Sequence, residues 1–141
     1  MCGVQLEPFV QLYLEASLAC LLLGSTLGAL LALGVHLPGS GDWVLVHVHL
    51  NLIGFVLQMI FGISYHVVPR FAGLGTRPFS PRFAVVQFWL VNIGLVLLLA
   101  GFAAPAPIAL GTGGVLLLAG IYLYVANLWL TLRAGARRNR S

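Results

Sequence analysis

One apolar stretch, residues 43–70, holds three of the four histidines in this chain. Its sequence, WVLVHVHLNLIGFVLQMIFGISYHVVPR, is long enough to cross the roughly 30 Å hydrocarbon core of a lipid bilayer. His47 and His49 lie near the beginning of the stretch, and His66 lies near its end. Because ionisable residues are costly inside a bilayer, histidines in such a position are candidate functional residues.

The composition of the chain predicts an integral membrane protein. Of its 141 residues, 60% are hydrophobic and only 7% are charged, whereas a soluble domain carries about 25% charged residues. The net charge of +4 does not indicate nucleic-acid binding, because the seven arginines lie near predicted helix ends or in the C-terminal tail. The two cysteines, Cys2 and Cys20, have no metal-binding spacing.

Four apolar segments, separated by turns rich in proline and glycine, predict an all-α protein. We expect a single domain over residues 1–141, folded as an up-down four-helix bundle. The predicted spans are residues 9–37, 43–68, 83–102 and 108–132, followed by a basic tail at 133–141. Asp42 is the expected N-cap of the second span, and Pro69 is expected to end that span.

The arginines predict the orientation of the bundle. Three lie between the second and third spans and four follow the fourth span, whereas the other two turns have none. The positive-inside rule therefore predicts that both termini are cytoplasmic, in the inner membrane of the cell. His36, His47 and His49 then lie toward the outer face, and His66 lies toward the cytoplasm.

The spacing of the histidines separates them into different sites. His47 and His49 are two residues apart, which is about 200° around a regular helix, so they cannot ligate one metal ion together. They can serve opposite faces, one toward the bundle core and one toward a neighbouring subunit. His66 is 17 residues beyond His49, roughly 25 Å along the helix. His36 precedes the second span and can approach the pair from the first.

Three chemistries are compatible with the His47/His49 pair. Neutral imidazole is an axial ligand of haem b, and a helix bundle supplies an apolar slot for the macrocycle. Gly54, seven residues after His47, lies on the same helix face and leaves space for a flat ring. Copper or zinc held by His47, His49 or His66 is the second possibility. The third is a structural role, with the imidazoles hydrogen-bonded across helices.

Other polar residues lie within the spans, and interhelical hydrogen bonding is their expected role. They are Gln58, Gln87, Asn92 and Asn127. Glu15 is different, because a buried carboxylate must be protonated or paired. His66 is predicted to lie at a similar depth, so we consider a pair between Glu15 and His66.

The segment HVHLNLIGFVLQMIFGISYHVVPR resembles the second transmembrane helix of the haem–copper oxidase catalytic subunit, and it is most similar to the C-family oxidases and nitric oxide reductases. QFWLVNIG, residues 87–94, resembles the start of the third helix of that family. The resemblance implies that one histidine is an axial ligand of a low-spin haem. His47 matches when residues are counted back from Val67-Val68-Pro69-Arg70, and His49 matches because Asn51 follows two residues later.

The resemblance covers about residues 43–102. In that family the second low-spin ligand and the copper ligands come from later helices, so the resemblance does not imply oxygen or nitric oxide reduction by this chain alone. It implies a membrane cytochrome b in which His36, the other member of the pair, or a symmetry mate supplies the second ligand. We therefore expect a homo-oligomer that exchanges electrons with quinol or a redox partner, or binds a gas. The alternative is an accessory membrane subunit that is cofactor-free or binds copper or zinc.

Overall fold

The structure is a computed structural model that describes residues 7–74 and 80–138. Within these residues, four helices are long and apolar enough to cross a membrane. They are α1 (Pro8–Ala32), α2 (Trp43–Phe71), α3 (Pro81–Ala103) and α4 (Pro107–Arg138). The predicted all-α class is confirmed, with four helices that are long and apolar enough to cross a membrane. The up-down arrangement and the cytoplasmic termini stay predictions.

The first helix ends five residues earlier than predicted, at Ala32 and not at residue 37. Gly34 has a φ of +72°, a left-handed conformation that stops the helix. The amides of Gly34 and Val35 bond back to the carbonyls of Leu31 and Leu30, each at 3.0 Å, which is the Schellman arrangement. As a consequence, His36 lies in the connection after α1 and not in a helix.

The second helix is not regular, because residues Leu50–Leu57 form a π-helix that begins directly after His49. The sequence predicted a continuous α-helix here. π-helical turns are rare and are found mainly at functional sites, and this one contains Asn51 and Gly54. At the other end, α2 continues past Pro69 to Phe71, three residues beyond the predicted end at residue 68.

The helix starts follow the capping signals in the sequence. The side chain of Asp42 accepts a hydrogen bond from the amide of Leu45 at 3.0 Å, so the predicted N-cap of α2 is confirmed. Ser80 caps α3 in the same way, with the amide of Phe83 donating at 3.4 Å. The last helix extends to Arg138, six residues beyond its predicted end, and Arg133 lies over the Trp129 ring at 4.9 Å.

Two helix pairs form the bundle, with α1 packed along the whole of α2 and α3 packed closely along α4. An aromatic cluster fills the interior near the beginning of α1. The ring of Tyr13 lies 6.2 Å from Phe61, 6.0 Å from Tyr65 and 5.1 Å from Phe88, measured between centroids. All four side chains are buried. The contacts of Tyr13 with Phe61 and Phe88 are edge-to-face, a geometry in which the positive ring edge meets the negative ring face.

Polar side chains pair across the helices, as the sequence predicted. Gln58 of α2 and Asn92 of α3 exchange two hydrogen bonds, each of 3.2 Å. Tyr65 donates its hydroxyl hydrogen to Gln87 Oε1 at 2.6 Å, and Asn127 Nδ2 lies 3.4 Å from the same hydroxyl oxygen. These bonds join α2, α3 and α4 in a medium where water is not available to replace them.

Candidate functional site: the two histidines at the start of the second helix

His47 lies in a narrow slot against α1. A Cβ atom added to Gly28 would come within 2.4 Å of His47 Cε1, so any side chain at residue 28 would force the imidazole to move. One turn earlier in α1, a Cβ atom at Gly24 would lie 2.5 Å from Asn51 Nδ2. The glycines at 24 and 28 thus match the polar side chains at 51 and 47, because both pairs are spaced by one helical turn.

Hydrogen bonding fixes which nitrogen of His47 carries a proton. Its Nδ1 atom lies 2.8 Å from the Gly24 carbonyl oxygen. A carbonyl oxygen only accepts, so Nδ1 is the protonated atom and neutral imidazole keeps its lone pair on Nε2. Asn51 Nδ2 donates to the His47 carbonyl at 2.9 Å. Its 3.3 Å approach to His47 Nδ1 therefore brings two donors together and is not itself a hydrogen bond.

His49 has the same protonation pattern but different neighbours. Its Nδ1 atom lies 2.8 Å from the carbonyl oxygen of Leu45 in the preceding turn, which again leaves the lone pair on Nε2. The ring packs on Phe102 near the end of α3, with centroids 4.8 Å apart and planes inclined by 39°. His47 therefore faces α1 and His49 faces α3. The two rings do serve different faces, as predicted, but both faces belong to the same chain.

The remaining candidate residues lie apart from this pair. His36 is exposed and lines an open cavity of about 470 Å³ together with Asp42 and Trp43. His66 lines a separate cavity of about 400 Å³ at the other end of α2, beside Arg70. Within residues 7–74 and 80–138, no group of three histidine, cysteine or acidic side chains is arranged to hold a metal ion.

Gly54 and Asn51 have packing contacts that the sequence did not predict. A Cβ atom at Gly54 would lie 2.8 Å from Cys20 and 3.1 Å from Leu95. This glycine therefore allows α2 to approach α1 and α3 closely. Asn51 bonds to the backbone of His47, as described above. That either residue borders a haem stays a prediction.

The proposed pair between Glu15 and His66 does not form. Gly28 faces His47 and Tyr13 faces Gly62, a register that makes Glu15 level with residue 60 of α2. His66 is six residues further on, about 9 Å along the helix axis. Glu15 is also exposed. The prediction that Glu15 and His66 lie at a similar depth was wrong, because the boundaries of the spans do not reveal which residues of the two helices lie level with each other.

Three residues of this site were missed by the sequence reasoning: Gly24, Gly28 and Phe102. The two glycines belong to a run of small residues in α1 that indicates close helix packing, but the run does not reveal which residue fills the space. The matching four-residue spacings, 24 to 28 and 47 to 51, were the available signal. Phe102 is one aromatic residue among many and carried no signal.

The histidine nitrogens of this site are suited to bind a haem iron, but the space beside His47 is too narrow for a haem ring. Both imidazoles are held in the form that ligates iron, with Nδ1–H donated to a carbonyl and Nε2 free. A Cβ at Gly28 would already lie 3.2 Å from His47 Nε2. A macrocycle on the α1 side of His47 therefore requires α1 and α2 to separate, whereas the ring of His49 packs on Phe102 of α3.

Comparison with known proteins supports a relationship to oxidase subunits over part of the chain. The cbb3-type cytochrome c oxidase subunit CcoN1 of Stutzerimonas stutzeri is 37% identical over 59 residues, which are 42% of this chain and 12% of that protein. The cytochrome c oxidase subunit 1 of Rhodobacter capsulatus is 29% identical over 121 residues, covering 64% of this chain and 23% of that protein. No family model and no solved structure matches the chain.

The chain thus covers less than a quarter of the length of either relative. The four apolar helices and these partial similarities indicate a multi-pass membrane protein that is similar, over part of its length, to cytochrome c oxidase subunits.

Proposed function

We propose that this protein is a membrane cytochrome b of the inner membrane, in which an imidazole near the start of α2 is an axial ligand of haem b. The observation that carries the proposal is the state of the two rings. Each ring donates its Nδ1–H to a backbone carbonyl at 2.8 Å. The lone pair on Nε2 is then available to bind a metal ion. This is the usual arrangement for a histidine that ligates a metal. The partial similarity to oxidase subunits adds independent support.

His49 is the member of the pair that holds the haem without displacing a helix. Its ring is half-buried, and its contact on the α3 side is Phe102, a side chain able to move. His47 instead joins α2 to α1 through the Gly24 carbonyl. In this assignment His47 orients the start of α2, and the Leu45 carbonyl orients the ring of His49, which is the axial ligand.

When bound, haem b supplies one-electron redox chemistry, and its coordination decides whether it also binds a gas. His47 and His49 face different helices, so they do not ligate one iron together in this packing. The sixth position is therefore open to a gas, or it is filled by an imidazole from a second copy. We favour the second copy, because a bis-histidine haem in a homo-oligomer suits electron exchange with quinol or a partner protein.

The alternative function is an accessory membrane subunit without haem. The packing of His47 favours it, because a histidine that fills a glycine slot and bonds across two helices needs no cofactor to explain it. Copper or zinc binding belongs to the same class, with the missing ligands supplied by another chain.

An absorption spectrum of the purified full chain, produced in cells supplied with haem, tests the proposal. We expect a Soret band, sharp bands in the reduced-minus-oxidised spectrum, and iron without copper or zinc by metal analysis. A reduced spectrum unchanged by carbon monoxide indicates bis-histidine ligation, and a shifted one indicates an open position. A colourless protein would exclude the haem function and leave the accessory role.

A further inference from the structure

Glu15 projects away from the bundle into the space that lipid would occupy. At 100° per residue, the buried residues Tyr13, Ser17 and Gly24 lie about 160°, 200° and 180° around α1 from Glu15. The carboxyl group is therefore opposite the core and cannot reach an interior partner. Glu15 is exposed, and it forms no hydrogen bond or ion pair with another side chain in the part of the chain that the structure describes.

The position of Glu15 along α1 makes this exposure costly. It is the eighth residue of a 25-residue helix, about 10 Å from the helix start, whereas the hydrocarbon core spans about 30 Å. A carboxyl group inside that layer is expensive whether it is ionised or left without a hydrogen-bond partner. The face that carries it is therefore expected to be covered by protein and not by lipid.

The same face carries a partner for the carboxyl group. Gln11 is exposed, one turn before Glu15 and about 40° from it around the helix. Leu22 and Thr26 continue the face, each about 20° from Glu15, and both are exposed. Thr26 already bonds to the Leu22 carbonyl at 2.7 Å. Gln11 and Glu15 are thus the polar groups that still need partners on this face.

We propose that this face of α1, formed by Gln11, Glu15, Leu22 and Thr26, is the contact surface for a second copy of the same chain. Two copies related by a two-fold axis along the membrane normal bring the same residues together from both sides. The carboxyl group of each Glu15 then meets the Gln11 amide and the Glu15 carboxyl of the other copy. The amide supplies donors, and a protonated carboxyl both donates and accepts, so the pair is self-complementary.

This contact surface is separate from the one through which a second copy would supply a haem ligand, because His49 faces α3 and not α1. It lies on the side of α1 opposite the slot that holds His47, because Gly24 is about 180° from Glu15. Loss of haem ligation therefore leaves the interface intact. Conversely, a protein without haem can still dimerise through α1.

Disulfide formation in native membranes tests the interface. In a full-length background with Cys2→Ser and Cys20→Ala, Leu22→Cys places a thiol at the centre of the face. Val115→Cys on α4 is the matched control, because Leu22 and Val115 have similar exposed fractions of 71% and 67%. Under mild oxidation we expect a covalent dimer with Leu22→Cys at a yield several-fold above that of Val115→Cys. Equal yields, or no dimer at either position, would overturn the proposal.

Substitution of Glu15 in the Leu22→Cys background identifies the cause of the contact. Glu15→Gln keeps a donor and an acceptor, so we expect the dimer yield to stay within about twofold. Glu15→Leu removes both groups, and we expect dimerisation to weaken about fivefold to tenfold. Unchanged dimerisation in Glu15→Leu would overturn the proposal. The dimer should persist in the His47→Ala and His49→Ala double variant, which separates this test from the haem proposal.

Discussion

His47 donates its Nδ1–H to the carbonyl oxygen of Gly24, 2.8 Å away on the neighbouring helix. This bond joins α1 to the first turns of α2, immediately before the π-helix at Leu50–Leu57. His47, which the sequence predicts as a candidate haem ligand, thus has a structural role in joining two helices. The consequences of both roles can be measured separately.

The glycine slot for His47 predicts a large effect from a single methyl group. Gly28→Ala would place Cβ 2.4 Å from His47 Cε1. Overpacking of this kind costs about 1–3 kcal/mol of unfolding free energy. We expect a lower midpoint of denaturation by dodecyl sulfate in mixed micelles, followed by circular dichroism. Gly114→Ala in α4 is the control, since its added Cβ would have no neighbour within 4 Å. Equal stability of the two variants would contradict the close packing.

The two histidines are predicted to respond differently to removal of the side chain. His49→Ala should lower the haem bound per chain at least about tenfold, because metal sites lose at least this much affinity even when supporting residues change. His47→Ala should retain haem but lose about 1 kcal/mol of stability with its hydrogen bond. His66→Ala, at the other end of α2, is the spectral control. Loss of haem in His47→Ala with retention in His49→Ala would reverse the assignment of the ligand.

Asn127 is predicted to hold the beginning of α3 in place. Its Oδ1 accepts from the Ser80 amide and its Nδ2 donates to the Ser80 carbonyl, both at 3.0 Å. Asn127→Ala leaves the Ser80 amide without its partner and leaves the Ser80 carbonyl with only the 3.4 Å bond from the Ala84 amide, so we expect a loss of about 2 kcal/mol in unfolding free energy.

A second buried amide in the same layer serves as the comparison for Asn127. Gln87 Nε2 is buried and has no hydrogen-bond partner among the residues that the structure describes. Gln87→Met removes that unpaired donor, which is favourable, but it also removes the Oε1 atom that accepts from Tyr65. Asn127 Nδ2, 3.4 Å from the Tyr65 oxygen, is a donor and cannot replace this acceptor. Loss of one unpaired donor and creation of another have opposite effects on stability. We therefore expect a change within about 1 kcal/mol. A larger loss in Gln87→Met than in Asn127→Ala would show that the Tyr65–Gln87 bond is the dominant one.

The orientation of the chain is predicted by its arginines and can be tested with fusions. Alkaline phosphatase fused after Ser141 should be inactive, because the tail is predicted to be cytoplasmic. The same enzyme inserted after Ser40, in the turn between α1 and α2, should be active. A fluorescent protein that folds only in the cytoplasm provides the reciprocal readout at both positions. Active phosphatase at the C-terminus would place the His47/His49 pair on the cytoplasmic side.

The helices themselves followed from the sequence, since 20 or more apolar residues between breakers leave few alternatives in a bilayer. The boundaries were less certain. α1 ended early because Gly34 adopts a left-handed conformation, and α2 continued through Pro69, whose missing amide affects a single hydrogen bond near the helix end. The π-helix was not predicted, because no residue type signals the change from an α-helical to a π-helical hydrogen-bond pattern.

The sequence by itself determined that this chain is helical, that it crosses a membrane, and that two histidines lie at the start of one span. These properties depend on local composition and spacing. The tertiary structure alone decided that His47 fills a slot beside Gly28, that His49 lies on Phe102, and that Glu15 faces outward. The register and rotation of one helix against another decide those neighbours. Both arise from the packing of whole helix surfaces, which no single stretch of residues encodes.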